Sequence, residues 1–189
     1  MGITGLYTWI SREIGMINCS DRVTLSPDRP VLIIVDGNAL VYHLCIQTAQ
    51  SCAAADYAAL ASSASHLCNT FASVGVTLEF VFDGATEARK MPCKLQRMKK
   101  QAALIYSNTT DIATTTATDK NAGAVLPRLA IRVVQEALHI HPTAPRCIRT
   151  PGEADGTIGA MANEARRFGR EVYVLSNDTD MILLGSGCG

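Results

Sequence analysis

Residues 31–38 read Val-Leu-Ile-Ile-Val-Asp-Gly-Asn, five apolar residues in succession closed by an acid and a glycine. A short unbroken apolar run ending in a turn signal is the pattern of a strand buried on both faces, as parallel sheets require. Residues 77–84, TLEFVFDG, end on the same Asp-Gly. Between the two, 39–50 and 55–74 are rich in Ala and Leu and predict two helices. Further on, VLPRLAIRVVQEALHI (125–140) carries apolar residues at helical spacing. RCIRTPGEADGTIGAMANEARRFG (146–169) predicts a short strand, a turn and a helix from near Glu153 to Gly169, and EVYVLSND (171–178) a fourth strand. Strands alternating with helices predict an α/β domain with a mainly parallel central sheet flanked by helices. No repeat or linker divides residues 1–189, so one domain is expected.

Each predicted strand is followed by acid: Asp36, then Asp83, then Glu153 and Asp155, then Asp178 and Asp180. In a parallel sheet the carboxyl ends share one edge, where such folds carry their ligands. Any one of these acids, taken by itself, reads better as a helix cap. Two closely spaced pairs exceed what capping needs. Six converging carboxylates repel and are driven to take up protons unless cations accompany them. All-oxygen ligands suit hard divalent cations such as Mg²⁺ or Mn²⁺, and two such ions can activate a water and stabilise a leaving oxygen.

Composition bounds the partners. Seventeen basic residues balance seventeen acidic ones, so net charge points to neither nucleic acid nor membrane, and 48% hydrophobic residues suffice for one core. The seven cysteines, at 19, 45, 52, 68, 93, 147 and 188, form no CxxC pair and predict free buried thiols in a reducing compartment. No stretch matches a membrane span or secretory signal, and Leu6 stands where an N-myristoylation signal wants Ser or Thr. An intracellular location is expected. His139 and His141, in LHIHP, read as structural residues at a helix end.

Local charge is less even. EARKMPCKLQRMKKQAALIY (87–106) predicts a helix dense in cations, with Arg89, Lys90, Lys94, Arg97, Lys99 and Lys100 inside twelve residues. Lys90, Lys94 and Arg97 are spaced to share one helical face. A solvated surface helix has this look too, but the run begins just after Asp83, which favours phosphate binding. The Thr-rich stretch 107–123 is poor in helix formers and predicts a loop.

Five motifs in order then resemble the flap endonuclease/XPG-type structure-specific nucleases, a branch of the PIN-like fold. MGITGLYTWI (1–10) is similar to the family's N-terminal signature and brings Gly2 forward as a nucleic-acid contact. IIVDGNALVYHL, FVFDG, PGEADG and SNDTDMILLGS are similar to its metal-binding segments, which implies metal ligation by Asp36, Asp83, Glu153, Asp155, Asp178 and Asp180. Lys90 and Arg97 stand seven and fourteen residues after Asp83, the family's offsets for an active-site Lys and Arg on its arch helix. Tyr42, six residues after Asp36, matches a base-stacking Tyr, though a core aromatic on a helix reads as well. Lys94, Lys99 and Lys100 fall on the same arch-like segment, about 85–124, as nucleic-acid contacts.

The resemblance implies hydrolysis of DNA, or RNA, near single-strand/double-strand junctions with two Mg²⁺, Mn²⁺ substituting, to leave a 5′-phosphate and a 3′-hydroxyl. It also implies a role in DNA repair and a nuclear rather than cytoplasmic site. Departures accompany it. The Thr-rich stretch replaces a charged second arch helix, and a further metal-ligating Asp and a helix-turn-helix element have no counterpart before residue 189. DGNALVYHL and the weak arch look more like the Asteroid-type branch than the replicative one. The rival reading is a nuclease-like domain that has lost catalysis and binds RNA or protein as a regulator. An aspartyl-phosphate phosphatase is set aside, since Asn38 stands where its second acid would be.

Overall fold

The structure is a computed structural model and describes residues 30–48, 56–96, 98, 99, 103 and 126–178. The expectations resting on Gly2, Arg97, Lys100, Asp180 and the Thr-rich 107–123 lie outside the described residues.

Four strands form one sheet: β1 (Val31–Asp36), β2 (Thr77–Phe82), β3 (Arg146–Arg149) and β4 (Glu171–Leu175). Their spatial order is β3-β2-β1-β4, and every pairing is parallel. The apolar run of β1 is explained by its two neighbours and two faces. Val31 and Val35 enter one core, while Leu32 and Ile34 enter the other. Burying a side chain of that size contributes roughly 1.5–3 kcal/mol.

Helices α1 (Gly37–Thr48), α2 (Tyr57–Ser73) and α3 (Ala130–His139) cover one face. Each does so with apolar residues at helical spacing, such as Leu60, Ala64 and Cys68 of α2 and Ala130, Val134 and Leu138 of α3. Asp56 starts α2 by accepting from the Ala59 amide at 2.9 Å. Helix α4 (Ala154–Arg167) covers the opposite face with Ala154, Ile158, Ala162 and Ala165. Crossovers between parallel strands keep one hand. The chain steps from β1 to β2 to β3 in one direction and returns to β4 in the other, so the last helix must lie on the opposite face.

Several boundaries differ from the sequence reading. The helix expected over 125–140 starts only at Ala130, because Pro127 forms a turn in which its carbonyl accepts from the Ala130 amide at 3.0 Å. The fourth strand ends at Leu175, the last residue in register with β1, opposite Val35. The basic segment opens as a 3₁₀ turn, Ala88–Lys90, before helix over 91–96, where Pro92 in the first turn is tolerated. The thiols are not uniformly buried. Cys45 and Cys68 are, and burial pushes Cys68 up to about 11, whereas Cys93 and Cys147 are exposed. His141 is buried and its Nδ1 meets the hydroxyl and amide of Thr143, in keeping with a structural place after α3. Among the described residues no helix is long and apolar enough to cross a membrane.

Candidate active site

The carboxyl edge is held by contacts that continue past the strands. Beyond β2 and β3, the amides of Gly84 and Ala85 donate to the carbonyls of Gly152 (2.7 Å) and Pro151 (3.0 Å). The Thr150 amide and hydroxyl both donate to the Phe82 carbonyl, at 3.0 and 3.2 Å. Close approach of neighbouring atoms accounts for the glycines that follow Asp36 and Asp83. A Cβ on Gly84 would lie 1.7 Å from the Thr150 carbonyl oxygen, and one on Gly37 would lie 2.4 Å from the Phe82 ring.

Between these ends opens a cleft of about 330 Å³ lined by Asp36, Asn38, Asp83, Glu153, Asp155 and Asp178, with Ala39 and Asn177. Five of the six predicted acids are thus brought together, from the ends of all four strands. Asp36, nearly buried at 9% exposure, accepts from the Ala39 amide (3.0 Å) with one oxygen and from the Ser176 hydroxyl (2.9 Å) with the other. Asp83 accepts from the Ala154 amide (2.8 Å), so it caps α4 from another segment, and from the Asn38 side chain (2.7 Å). The capping reading therefore holds for one oxygen of Asp36 and one of Asp83. A carboxylate offers about four lone-pair sites, so capping does not exhaust either.

Glu153, the residue just before α4, makes no side-chain cap. Its two oxygens instead take the Lys90 ammonium at 2.6 and 2.5 Å, and this bond holds the Lys90 pKa above its ordinary value. Asp155 lies at the crowded centre. Burial pushes its carboxyl up, and the charges of Asp178, Asp36, Asp83 and Glu153 push it further the same way. Asp178 is half-buried, with its amide on the Ser176 hydroxyl at 3.1 Å.

Two of the basic residues hold partners within the chain. Lys90 lies in the 3₁₀ turn bound to Glu153, and Lys94 bonds the Thr86 hydroxyl. Lys99 is exposed, as is Tyr42 at 38%, so Tyr42 is not the core aromatic of the alternative reading.

Among the described residues, no three acidic, histidine or cysteine side chains are gathered tightly enough to hold a metal ion in this arrangement. In the same cleft Lys90 occupies Glu153, and Asp36 and Asp83 accept from internal donors. The chemistry of the set still suits hard cations. Its donors are all oxygen, their charges raise the proton affinity of Asp155, and the buried Asn38 Oδ1 in the same cleft has no hydrogen-bond partner. Sequence reasoning missed Ser176 and Asn177, which flank Asp178 without charge. It also missed Arg128, Arg132 and Arg149, which line an adjoining groove with Asp83 and Glu153. Nothing in their local pattern sets those arginines apart.

No family model and no curated protein matches the chain. Solved structures do. The catalytic core of Rad2 in complex with DNA substrate is 17% identical with a TM-score of 0.53, over 83% of this chain and 43% of that one. The T5 5′-exonuclease with bound divalent zinc is 18% identical with a TM-score of 0.51, over 82% and 51%. The T5 D15 protein co-crystallised with metal ions is 19% identical with a TM-score of 0.50, over 82% and 50%. The chain thus spans about half the length of the structures it matches, 43–51% of each. Its fold is the flap endonuclease/XPG-type, PIN-like α/β fold.

Proposed function

We propose that the chain is a divalent-metal-dependent, structure-specific nuclease that hydrolyses phosphodiester bonds of DNA near single-strand/double-strand junctions. The observation that carries this reading is the single cleft lined by carboxylates from the ends of all four strands. Residues 1–189 would act as one nuclease domain, with the segment at about 85–124 as its arch.

Asp36, Asp83, Glu153, Asp155 and Asp178, with Asp180, would hold two Mg²⁺ or Mn²⁺. Bound there, the ions supply a water of lowered pKa and charge compensation at the departing oxygen. The chain's own residues do the rest. Asp36 and Asp83 stay aligned through their amide and side-chain donors. To hold a cation Glu153 would give up Lys90, whose ammonium would then be free to offset charge on the scissile phosphate, the role also proposed for Arg97. Tyr42, Gly2, Lys94, Lys99 and Lys100 are the proposed contacts to flanking nucleic acid.

A second reading rests on the Lys90–Glu153 pair, which neutralises one proposed ligand. In it the domain is catalytically weak and binds RNA or protein as a regulator. Labelled flap, gapped and single-stranded DNA, with matching RNA, incubated with Mg²⁺ or Mn²⁺ and with chelator, decides between them. The nuclease reading expects metal-dependent cuts at junctions, abolished in Asp178→Asn. It also expects Lys90→Ala to lower single-turnover cleavage by roughly 10²–10³ while affinity falls far less. Binding without cleavage under every metal condition would favour the regulator.

A further inference from the structure

A second groove, of about 640 Å³, adjoins the acidic cleft and shares Asn38, Asp83 and Glu153 with it as lining. Its other charged walls are Lys94, Arg128, Arg132 and Arg149, with Glu136. Four cations thus face three acids, Asp83, Glu136 and Glu153, one of which is already bound by Lys90.

The three arginines reach this groove from separate places. Arg149 is the last residue of β3, Arg128 lies in the turn before α3, and Arg132 is in the first turn of α3. All three are exposed, and among the described residues none is within ion-pair distance of a carboxylate, although three acids line the same space. Cations at a helix N-terminus oppose its dipole, and Leu129, the residue before α3, supplies no side-chain cap. An anion in the groove would meet the uncapped amides of α3 and the guanidinium groups together. The forked donors of arginine match a phosphate better than any other side chain does.

We propose that Arg128, Arg132 and Arg149 form a phosphate-binding subsite for a single strand of nucleic acid, holding the phosphodiesters that flank those in the acidic cleft. The proposal takes its ligand from the nuclease reading, but the groove and its arginines stand independently of cleavage. Because the contacts are to phosphate, the subsite takes DNA and RNA strands alike.

Anisotropy of labelled oligo-dT and oligo-U of equal length, titrated with the full chain in chelator across a salt series, tests it. Arg132→Gln with Arg149→Gln should weaken both ligands by about tenfold or more and lower the salt slope by about 0.7 for each phosphate no longer neutralised. Arg132→Lys with Arg149→Lys should keep most of the slope, since charge is retained. Equal melting temperatures establish that the fold is intact, and Arg128→Gln serves as an independent variant if the double one is destabilised. Affinity and slope unchanged in the Gln variants would overturn the proposal even if the wild type cuts DNA. Loss of binding in those variants would support it even if no cleavage is found, in which case the nuclease reading alone would fail.

Discussion

Asp155 lies in the first turn of α4, where the helix dipole favours a carboxylate. Burial and four neighbouring acids nevertheless push its pKa up. The folded chain then holds that proton more tightly than the unfolded chain. The resulting stability is present at low pH and is lost as pH rises through the raised pKa. Asp155→Asn should therefore leave the metal-free melting temperature at pH 7 level or higher than wild type. The difference should vanish toward about pH 4, the ordinary carboxylate range. Thermal melts from pH 4 to 8 check this, and a large fall at pH 7 would make Asp155 a structural partner instead. At this scale the sequence was informative about which residues are out of place, since an acid straight after an apolar run is costly unless it has work to do. It was silent about partners. Ser176 with Asp36, Lys90 with Glu153 and Asn38 with Asp83 join positions 140, 63 and 45 apart, which no local pattern links.

The elements carry the site through two glycines. At Gly84 a Cβ would collide with the backbone of Thr150, which is itself tied to Phe82 and Gly152, so nothing there yields easily. Gly84→Ala should cost at least about 1–3 kcal/mol, the range for overpacking, and should disturb the position of Asp83. Gly156, inside α4 with open space around it, is the control. Gly156→Ala should be neutral or stabilising by roughly 0.5–1 kcal/mol, as expected for removing glycine from a helix. Urea unfolding of the two variants separates them, and equal destabilisation would remove the close-approach account. Several elements were legible here: β1 as an unbroken apolar run, β2 from its matching Asp-Gly ending, and α3 from its apolar spacing. Their ends were less so. Pro127 delays α3, the end of pairing with β1 stops β4 at Leu175, and Glu153 binds Lys90 in its turn, each a consequence of surroundings and not of local propensity.

Across the whole molecule, parallel pairing brings the strand ends to one edge, and one hand of crossover puts α4 opposite the other helices. The acids converge because the topology leaves them nowhere else to go. That convergence could be anticipated from the alternation of strands and acids alone. The arginine groove beside it could not, because Arg128, Arg132 and Arg149 meet only when β3 and α3 are assembled. Ions that bind only the folded chain stabilise it by mass action. Mn²⁺ or Mg²⁺ should raise the wild-type melting temperature in a concentration-dependent way, and chelator should reverse the rise. Calorimetric titration of Mn²⁺ into the metal-free full chain, wild type against Asp178→Asn, tests the central claim that this cleft collects divalent cations. The account predicts saturable binding in the wild type and at least about a tenfold loss of affinity in the variant, since losing even an outer partner of a metal ligand costs that much. Equal affinity in the two, or no binding in the wild type, would contradict it.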